Sequence, residues 1–247
     1  MRSSNPVFSS SSVGWQASRA GGGVMTVNGT IQKAFILLLC VLATAAWTWG
    51  RFLETGDPAS IAPYVMGGAI GGFVMALVTI FKKEWAGFTA PIYAILEGLF
   101  LGGISATFER RFPGIAMESV ALTFGTCMVM LLAYRAGWIR VTEKFTMGLV
   151  AATGGIAVVY LSSMMLGMFG VHIPGIFGSG PIGIAFSLVV VGVAAFNLIL
   201  DFSVIEQGAL NGAPKYMEWF GAFGLMVTLI WLYLEMLRLL SKLRDRR

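Results

Sequence analysis

The sequence predicts an all-α membrane protein built as a seven-transmembrane helical bundle, and three observations lead to this fold class. Hydrophobic residues make up 57% of the 247 residues and charged residues only 12%, about half of the roughly 25% that is usual in soluble domains. Apolar runs recur seven times, most of them near the roughly 20 residues that cross the hydrocarbon core of a bilayer. Almost all charges lie between these runs, as an apolar lipid-facing surface requires.

The N-terminal segment, residues 1–30, is rich in Ser and Gly. It lacks the apolar content needed to form a core, so we expect a flexible tail. The early Arg2 is not followed by an apolar stretch until residue 34, which differs from a cleavable signal peptide. We therefore expect the first apolar run to remain as a membrane anchor.

The seven runs are separated by stretches that contain charged residues, Gly or Pro, which predict loops. Within the second and third runs, glycines at helical spacing, including Gly68 and Gly98, favour close helix packing. The chain divides into a flexible tail at 1–30, a seven-helix transmembrane domain at 31–243 and a basic tail at 244–247. The predicted helices lie within residues 34–49, 61–81, 88–108, 115–134, 145–169, 182–200 and 217–240.

Basic residues flank the runs unequally, and their distribution bears on orientation. Nine lie on the side that holds the N-terminus and three in the opposite loops, which predicts a cytoplasmic N-terminus. With seven spans, five further basic residues near the C-terminus join the three, and the counts become nine and eight. A re-entrant or non-spanning last segment would place both ends on the cytoplasmic side, and the sequence leaves these arrangements open.

Three acids lie inside or at the end of apolar runs, where a charge is disfavoured by about 2.5–3.5 kcal/mol on insertion scales. Glu97 is near the middle of the third run, and Asp201 ends the sixth run. Asn197 precedes Asp201 by one helical turn and shares its face. Glu235 is in the seventh run, where Arg238 at i+3 can pair with it. Each acid also has a structural interpretation. Glu97 could form a hydrogen bond to a neighbouring helix, Asp201 could lie at a solvated helix end, and Glu235 could simply pair with Arg238.

Buried carboxylates that meet in a low-dielectric site share protons. Such a pair binds a divalent cation when it is ionised and releases the cation when it is protonated, and oxygen ligands favour hard ions such as calcium. The acids therefore predict a pH-gated cation pathway, with Asp201 and Glu235 as transient calcium ligands. The expected partners are the lipid bilayer, calcium ions and protons.

Other chemistry finds little support in the sequence. Cys40 and Cys127 lie inside apolar runs without a CxxC spacing, and His172, the only histidine, lies in a Gly-rich loop, so no zinc, redox or disulfide site is predicted. The motifs of hydrolases, nucleotide-binding proteins and intramembrane proteases do not occur. No basic patch with interleaved aromatic residues predicts nucleic-acid binding. We expect neither an enzyme nor a resident cofactor.

Four stretches resemble the Bax inhibitor family, also called the transmembrane Bax inhibitor motif proteins, and most closely its bacterial branch. They are MRSSNPVF at 1–8, APIYAILEGLFLGGIS at 90–105, DFSVIE at 201–206 and WLYLEMLRLL at 231–240. The resemblance implies a bundle in which a central C-terminal helix is wrapped by the other six, located in a bacterial plasma membrane. It also implies a pH-sensitive calcium leak whose sensor is a pair of acids on the last two helices.

By this resemblance Asp201 occupies the first sensor position and Glu235 the second, where the family usually has Asp. The two acids are 34 residues apart, which would place them roughly 16 Å apart in depth on antiparallel helices. Direct pairing would then need a kink or a re-entrant last segment. Otherwise Glu97 or Glu206 would be the partner of Asp201. The second run also lacks the arginine that pairs with the first acid in some relatives.

Two other functions fit buried acids in a helical bundle. A proton-coupled transporter for a small solute would use the same acids, and the Gly- and Pro-rich stretch 170–181 is a weak sign of the broken segments of transporters. A non-transporting membrane scaffold or stress regulator would use the acids as structural groups only. Flux measurements separate these alternatives from a calcium leak.

Overall fold

The computed structural model of the protein describes residues 23–170 and 176–246. Within these ranges seven helices are long and apolar enough to cross a membrane, which confirms the predicted fold class. The same ranges contain no strand, only an isolated antiparallel bridge between Val24 and Pro214. The helices are α1 (Val27–Thr55), α2 (Pro58–Phe81), α3 (Ala86–Arg111), α4 (Ile115–Arg135), α5 (Glu143–Met168), α6 (Pro181–Leu210) and α7 (Met217–Asp245).

Helix α1 begins earlier than its apolar run because a threonine caps it. The Thr26 hydroxyl oxygen accepts a hydrogen bond from the Gly29 amide (3.0 Å), which satisfies one of the free amides of the first turn. The helix therefore starts at Val27 rather than at residue 34, and the predicted tail at 1–30 is too long at its end. The rest of that tail, residues 1–22, and the predicted loop residue His172 lie outside the described residues.

Charged residues at the helix ends remain helical, so the connections are shorter than predicted. Helix α1 includes Arg51, and α3 includes Arg110 and Arg111, because long basic side chains can reach the membrane interface from a helix end. Helix α6 continues ten residues beyond its apolar run, to Leu210, which is the end assumed for the expected separation of roughly 16 Å between Asp201 and Glu235. The predicted basic tail at 244–247 begins inside α7.

Helix α7 is one uninterrupted helix of 29 residues, about 43 Å long by helical rise. Its described residues therefore do not form the re-entrant segment that was an alternative to a seventh span. Half of its most apolar 18-residue stretch is buried, the largest share among the seven helices. The resemblance implies a central last helix, and such a helix is expected to be the most buried. The side of the membrane on which the N-terminus lies stays a prediction.

The described helices form two compact units. The first contains α1, α2, α3 as far as Gly103, the end of α6 from Ser203, and the start of α7 as far as Met226. Glycines of α2 and α3 pack closely within this unit, as predicted. A Cβ atom added to Gly68 would lie 2.5 Å from the carbonyl oxygen of Leu96, so only glycine allows this approach of the two helices.

The second unit contains the end of α3 from Ile104, α4, α5, α6 as far as Phe202, and α7 from Val227. Its core includes fully buried leucines from the last two helices, Leu198 and Leu232. Large apolar side chains remain exposed along α4, α5 and α6, which suits a surface that faces lipid.

Candidate functional site

Asp201 lies well inside α6, nine residues before its end and therefore about 13 Å from that end by helical rise. Its carboxyl group accepts a hydrogen bond from the hydroxyl of Thr228, which lies about 16 Å from the start of α7. The Oδ2 oxygen of Asp201 is buried and has no hydrogen-bond partner within residues 23–170 and 176–246. No basic side chain of this part of the chain forms an ion pair with Asp201.

Glu235 has different surroundings, although it is also buried in the second unit. Both of its carboxyl oxygens accept from the hydroxyl of Tyr160, at 3.0 and 3.1 Å. Arg238 donates to Oε1 of Glu235 at 2.8 Å and to the Tyr160 hydroxyl at 2.5 Å, and its guanidinium lies 4.8 Å from the centre of the Tyr160 ring. The predicted pair of Glu235 with Arg238 is therefore present, and a tyrosine of α5 completes it.

Asp201 and Glu235 do not pair with each other in the structure. Thr228, the partner of Asp201, precedes Glu235 by seven residues, which is two helical turns on nearly the same face of α7 and about 10 Å by helical rise. Leu232, which is fully buried, lies between these two levels of α7. The α7 partner of Asp201 and the Glu235 residue are therefore at levels about 10 Å apart, compared with the roughly 16 Å in depth expected for the two acids from the sequence.

The other predicted site residues each have surroundings of their own. Asn197 shares its face of α6 but donates at 2.9 Å to the hydroxyl oxygen of Thr153 on α5. Glu206 is exposed, so it is not a second buried acid. Glu97 belongs to the first unit, where it is half-buried and packs against α2: a Cβ atom added to Gly72 would lie 2.8 Å from its Oε1 atom.

These acids do not form a conventional metal site. Within the described ranges no group of three or more His, Cys, Asp or Glu side chains could hold a metal ion, whereas a bound calcium ion usually takes six to eight oxygen ligands. The transient calcium contact expected for Asp201 and Glu235 stays a prediction.

A fourth buried acid, Glu218, was not predicted from the sequence. It lies fully buried at the start of α7 in the first unit and accepts from the amide and the hydroxyl of Thr26, both at 2.9 Å. Lys215 pairs with it at 2.8 Å, and Lys33 forms a second ion pair. The i+3 spacing of Lys215 was visible in the sequence, but Lys33 is 185 residues away, and nothing in the sequence joins it to Glu218.

Tyr160 and Thr228 are two more residues that sequence reasoning missed. Tyr160 stands close to two serines, Ser162 and Ser163, and Thr228 stands in an apolar stretch. Threonine is common in membrane helices because its hydroxyl can bond within its own helix. The only signal was the rule that buried acids need partners, which does not say which hydroxyl group is the partner.

The comparison with protein families gives one match. A family model described as Bax inhibitor 1 like matches residues 5–245, nearly the whole chain. None of the curated proteins compared with the chain matches it.

Proposed function

The chain belongs to the Bax inhibitor 1 like family, and from this premise we propose that it is a calcium leak channel gated by protonation of Asp201. The observation that carries the proposal is the Oδ2 oxygen of Asp201, which is buried without a hydrogen-bond partner in the described chain. A buried polar atom of this kind is rare in folded proteins and calls for an explanation.

The unpartnered oxygen is explained if Asp201 changes between a protonated and an ionised state. The protonated carboxyl group is neutral, so it can be buried beside Thr228 without a cation. The ionised group carries a charge that no basic side chain of the described residues balances, and an unbalanced buried charge is strongly unfavourable. A divalent cation passing along the second unit would provide the missing charge, since calcium binds carboxylate oxygens.

The direction of the pH effect follows from this exchange. Raising the pH favours the ionised carboxylate, which attracts cations, whereas lowering the pH returns the neutral acid, which does not. We therefore expect calcium flux to rise with pH. Glu235 is held by Arg238 and Tyr160, so in this proposal it orients α7 against α5 and is not the second sensor.

The proposal locates the protein in a plasma membrane of bacterial type, as the resemblance suggests, with the cytoplasmic N-terminus predicted from the sequence, although seven spans reduce the difference in basic residues between the two sides to nine against eight. Calcium is the permeant ion, and protons are the regulators. The mechanism uses no enzymatic step and no resident cofactor. Glu97 keeps its predicted role as a further cation contact within the first unit.

Calcium flux into liposomes that contain an indicator dye tests the proposal. We expect the wild-type protein to give flux that rises with pH and Asp201→Asn to give flux that no longer responds to pH. Asp57→Asn is the matched control, because Asp57 is an exposed helix cap and asparagine caps helices about as well. Unchanged pH dependence in Asp201→Asn, or no wild-type flux at any pH, would refute the proposal.

A further inference from the structure

A cavity in the second unit lies away from the Asp201 carboxyl, near the C-terminal ends of α3 and α7. Its volume is about 440 Å³. Its polar lining includes Thr107, Arg111, Ser179, Arg238, Lys242 and Asp245. The cavity therefore brings three basic side chains together with a single acid, and no predicted function accounts for this grouping.

The charges around this cavity do not balance. Asp245 pairs with Arg111 at 2.7 Å, and Arg238 pairs with Glu235, so each of these arginines has an acidic partner. Lys242 is buried, with 6% of its surface exposed, and it forms no ion pair within the described ranges. One positive charge is therefore left without a contacting counter-ion.

Neutral oxygens hold the Lys242 ammonium group in place. It donates to the carbonyl oxygens of Ile176 and Gly183, at 3.0 and 2.9 Å, and to the Ser187 hydroxyl at 2.9 Å. These three bonds use all three protons of the group, but they do not neutralise it. A buried cation is unfavourable unless an anion balances it. Glu235 acts on Lys242 without contacting it but is already paired with Arg238, so the cavity is suited to a further anion.

The position of the cavity indicates where such an anion comes from. Arg111 is the last residue of α3, and Lys242 lies three residues before the end of α7, so both are near the ends of membrane-length helices. Lipid phosphate groups lie at this level of a bilayer, and basic pockets between helix ends bind lipid headgroups. Three phenylalanines, Phe108, Phe112 and Phe177, also line the cavity and provide apolar surface beside the charges.

We propose that this cavity binds the phosphate group of an anionic phospholipid. Arg111 and Arg238 each have five N–H donors and retain donors beyond those used for their acidic partners, and a guanidinium group matches phosphate oxygens in geometry. The phosphate provides the negative charge that Lys242 lacks. The site uses neither Asp201 nor Thr228, so it does not depend on the proposed gating, and it shares with that proposal only Arg238, the partner of Glu235.

Native mass spectrometry of the full chain, purified in detergent and freed of lipid, tests the site with three probes. They are dioctanoyl phosphatidylglycerol, dioctanoyl phosphatidylcholine and inorganic phosphate. We expect one phosphatidylglycerol molecule to bind at least about tenfold more tightly than either of the others, because only it combines a net negative charge with apolar chains. Equal binding of phosphatidylcholine would overturn the charge argument, and equal binding of inorganic phosphate would overturn the assignment to a lipid.

Two adjacent arginines provide a matched pair of variants. Arg111 lines the cavity and Arg110 does not, so Arg111→Gln and Arg110→Gln change the net charge equally. We expect Arg111→Gln to weaken phosphatidylglycerol binding about tenfold, the effect of losing one charge-assisted hydrogen bond, and Arg110→Gln to change it less than about twofold. Equal effects of the two substitutions would overturn the proposal.

A second pair avoids the ion pair of Arg111 with Asp245, in case Arg111→Gln does not fold. Thr107 is exposed and lines the cavity, and Thr107→Asp places a negative charge there, whereas Thr107→Asn adds a neutral side chain of the same size. We expect the aspartate variant to bind phosphatidylglycerol at least about tenfold more weakly than the asparagine variant, because only the aspartate repels the phosphate. Retained binding in Thr107→Asp would contradict the site.

Discussion

Glu218 in the first unit and Asp201 in the second are both acids within helices long and apolar enough to cross a membrane, but their surroundings differ. Glu218 accepts two hydrogen bonds from Thr26 and pairs with two lysines. Asp201 has one hydroxyl partner, Thr228, and a buried oxygen without a partner in the described chain. Burial of an acid therefore does not by itself indicate function. Glu218 is the more buried of the two, and its hydrogen bonds and ion pairs account for it as a structural group.

Glu235 lies between these two cases. It has one cationic partner, Arg238, and one hydroxyl partner, Tyr160, so it resembles Glu218 more than Asp201. Among the described residues, the three acids therefore form a series in which the number of charged partners falls from two to one to none. We expect the effect of substitution on stability to fall along this series and the effect on calcium flux to rise.

The largest loss of stability is expected for Glu218→Gln. Neutralising this buried acid leaves the ammonium groups of Lys33 and Lys215 unpaired, and breaking a buried ion pair typically lowers the free energy of unfolding by about 3 kcal/mol. Chemical denaturation in mixed micelles measures this quantity. Glu54→Gln is the control, because Glu54 forms an i,i+3 ion pair with both side chains exposed, and we expect a change below about 0.5 kcal/mol. Similar losses in the two variants would show that the ion pairs of Glu218 stabilise the protein no more than an exposed pair does.

A smaller loss is expected for Tyr160→Phe. The substitution keeps the ring beneath Arg238 but removes the hydroxyl that donates to both oxygens of Glu235, so the free energy of unfolding should fall by about 1.5 kcal/mol. Tyr64→Phe is the control. The Tyr64 ring packs edge-on against Trp47, and its hydroxyl forms no hydrogen bond with any residue that the structure describes. No loss in Tyr160→Phe would show that Glu235 does not depend on its hydroxyl partner.

Thr228→Val is expected to have a still smaller effect on stability, about 1 kcal/mol, because it removes one neutral donor from the Asp201 carboxyl. Its effect on function should be larger, since the pH at half-maximal calcium flux depends on the partner of the gating acid. Thr228→Ser keeps the hydroxyl and should behave like the wild type in both denaturation and flux. If valine and serine give the same flux profile, the Thr228 hydrogen bond has no role in gating.

The smallest change in stability is expected for Asp201→Asn, below about 1 kcal/mol, because asparagine is neutral and has the shape of the protonated acid. The same substitution should abolish the pH dependence of flux. Denaturation and liposome flux on one protein preparation measure both quantities. A loss of stability as large as that of Glu218→Gln would place Asp201 among the structural acids.

The sequence predicted the fold more completely than the site. All seven helices follow from apolar runs, because the thickness of a bilayer sets the length of apolar chain that crosses it. Helix ends were predicted less well, because caps such as Thr26 and the reach of basic residues such as Arg111 extend a helix beyond its apolar part.

Asp201 could be found because an acid beside an apolar run stands out, whereas its partner could not. Thr228 is an ordinary residue of a membrane helix until the fold brings it to α6, and the expected partner, Glu235, lies two turns further along α7. Glu218 was missed for the same physical reason: one of its counter-charges, Lys33, comes from the other end of the chain.

Infrared difference spectroscopy of the protein in lipid bilayers, recorded as calcium is added at constant pH, tests most directly whether Asp201 exchanges its proton for a cation. Binding of a cation to a carboxyl group releases its proton, so the carbonyl stretch of a protonated acid should disappear. We predict this loss in the wild type and in Glu235→Gln, and no such loss in Asp201→Asn. A calcium-dependent loss that persists in Asp201→Asn and vanishes in Glu235→Gln would contradict the account.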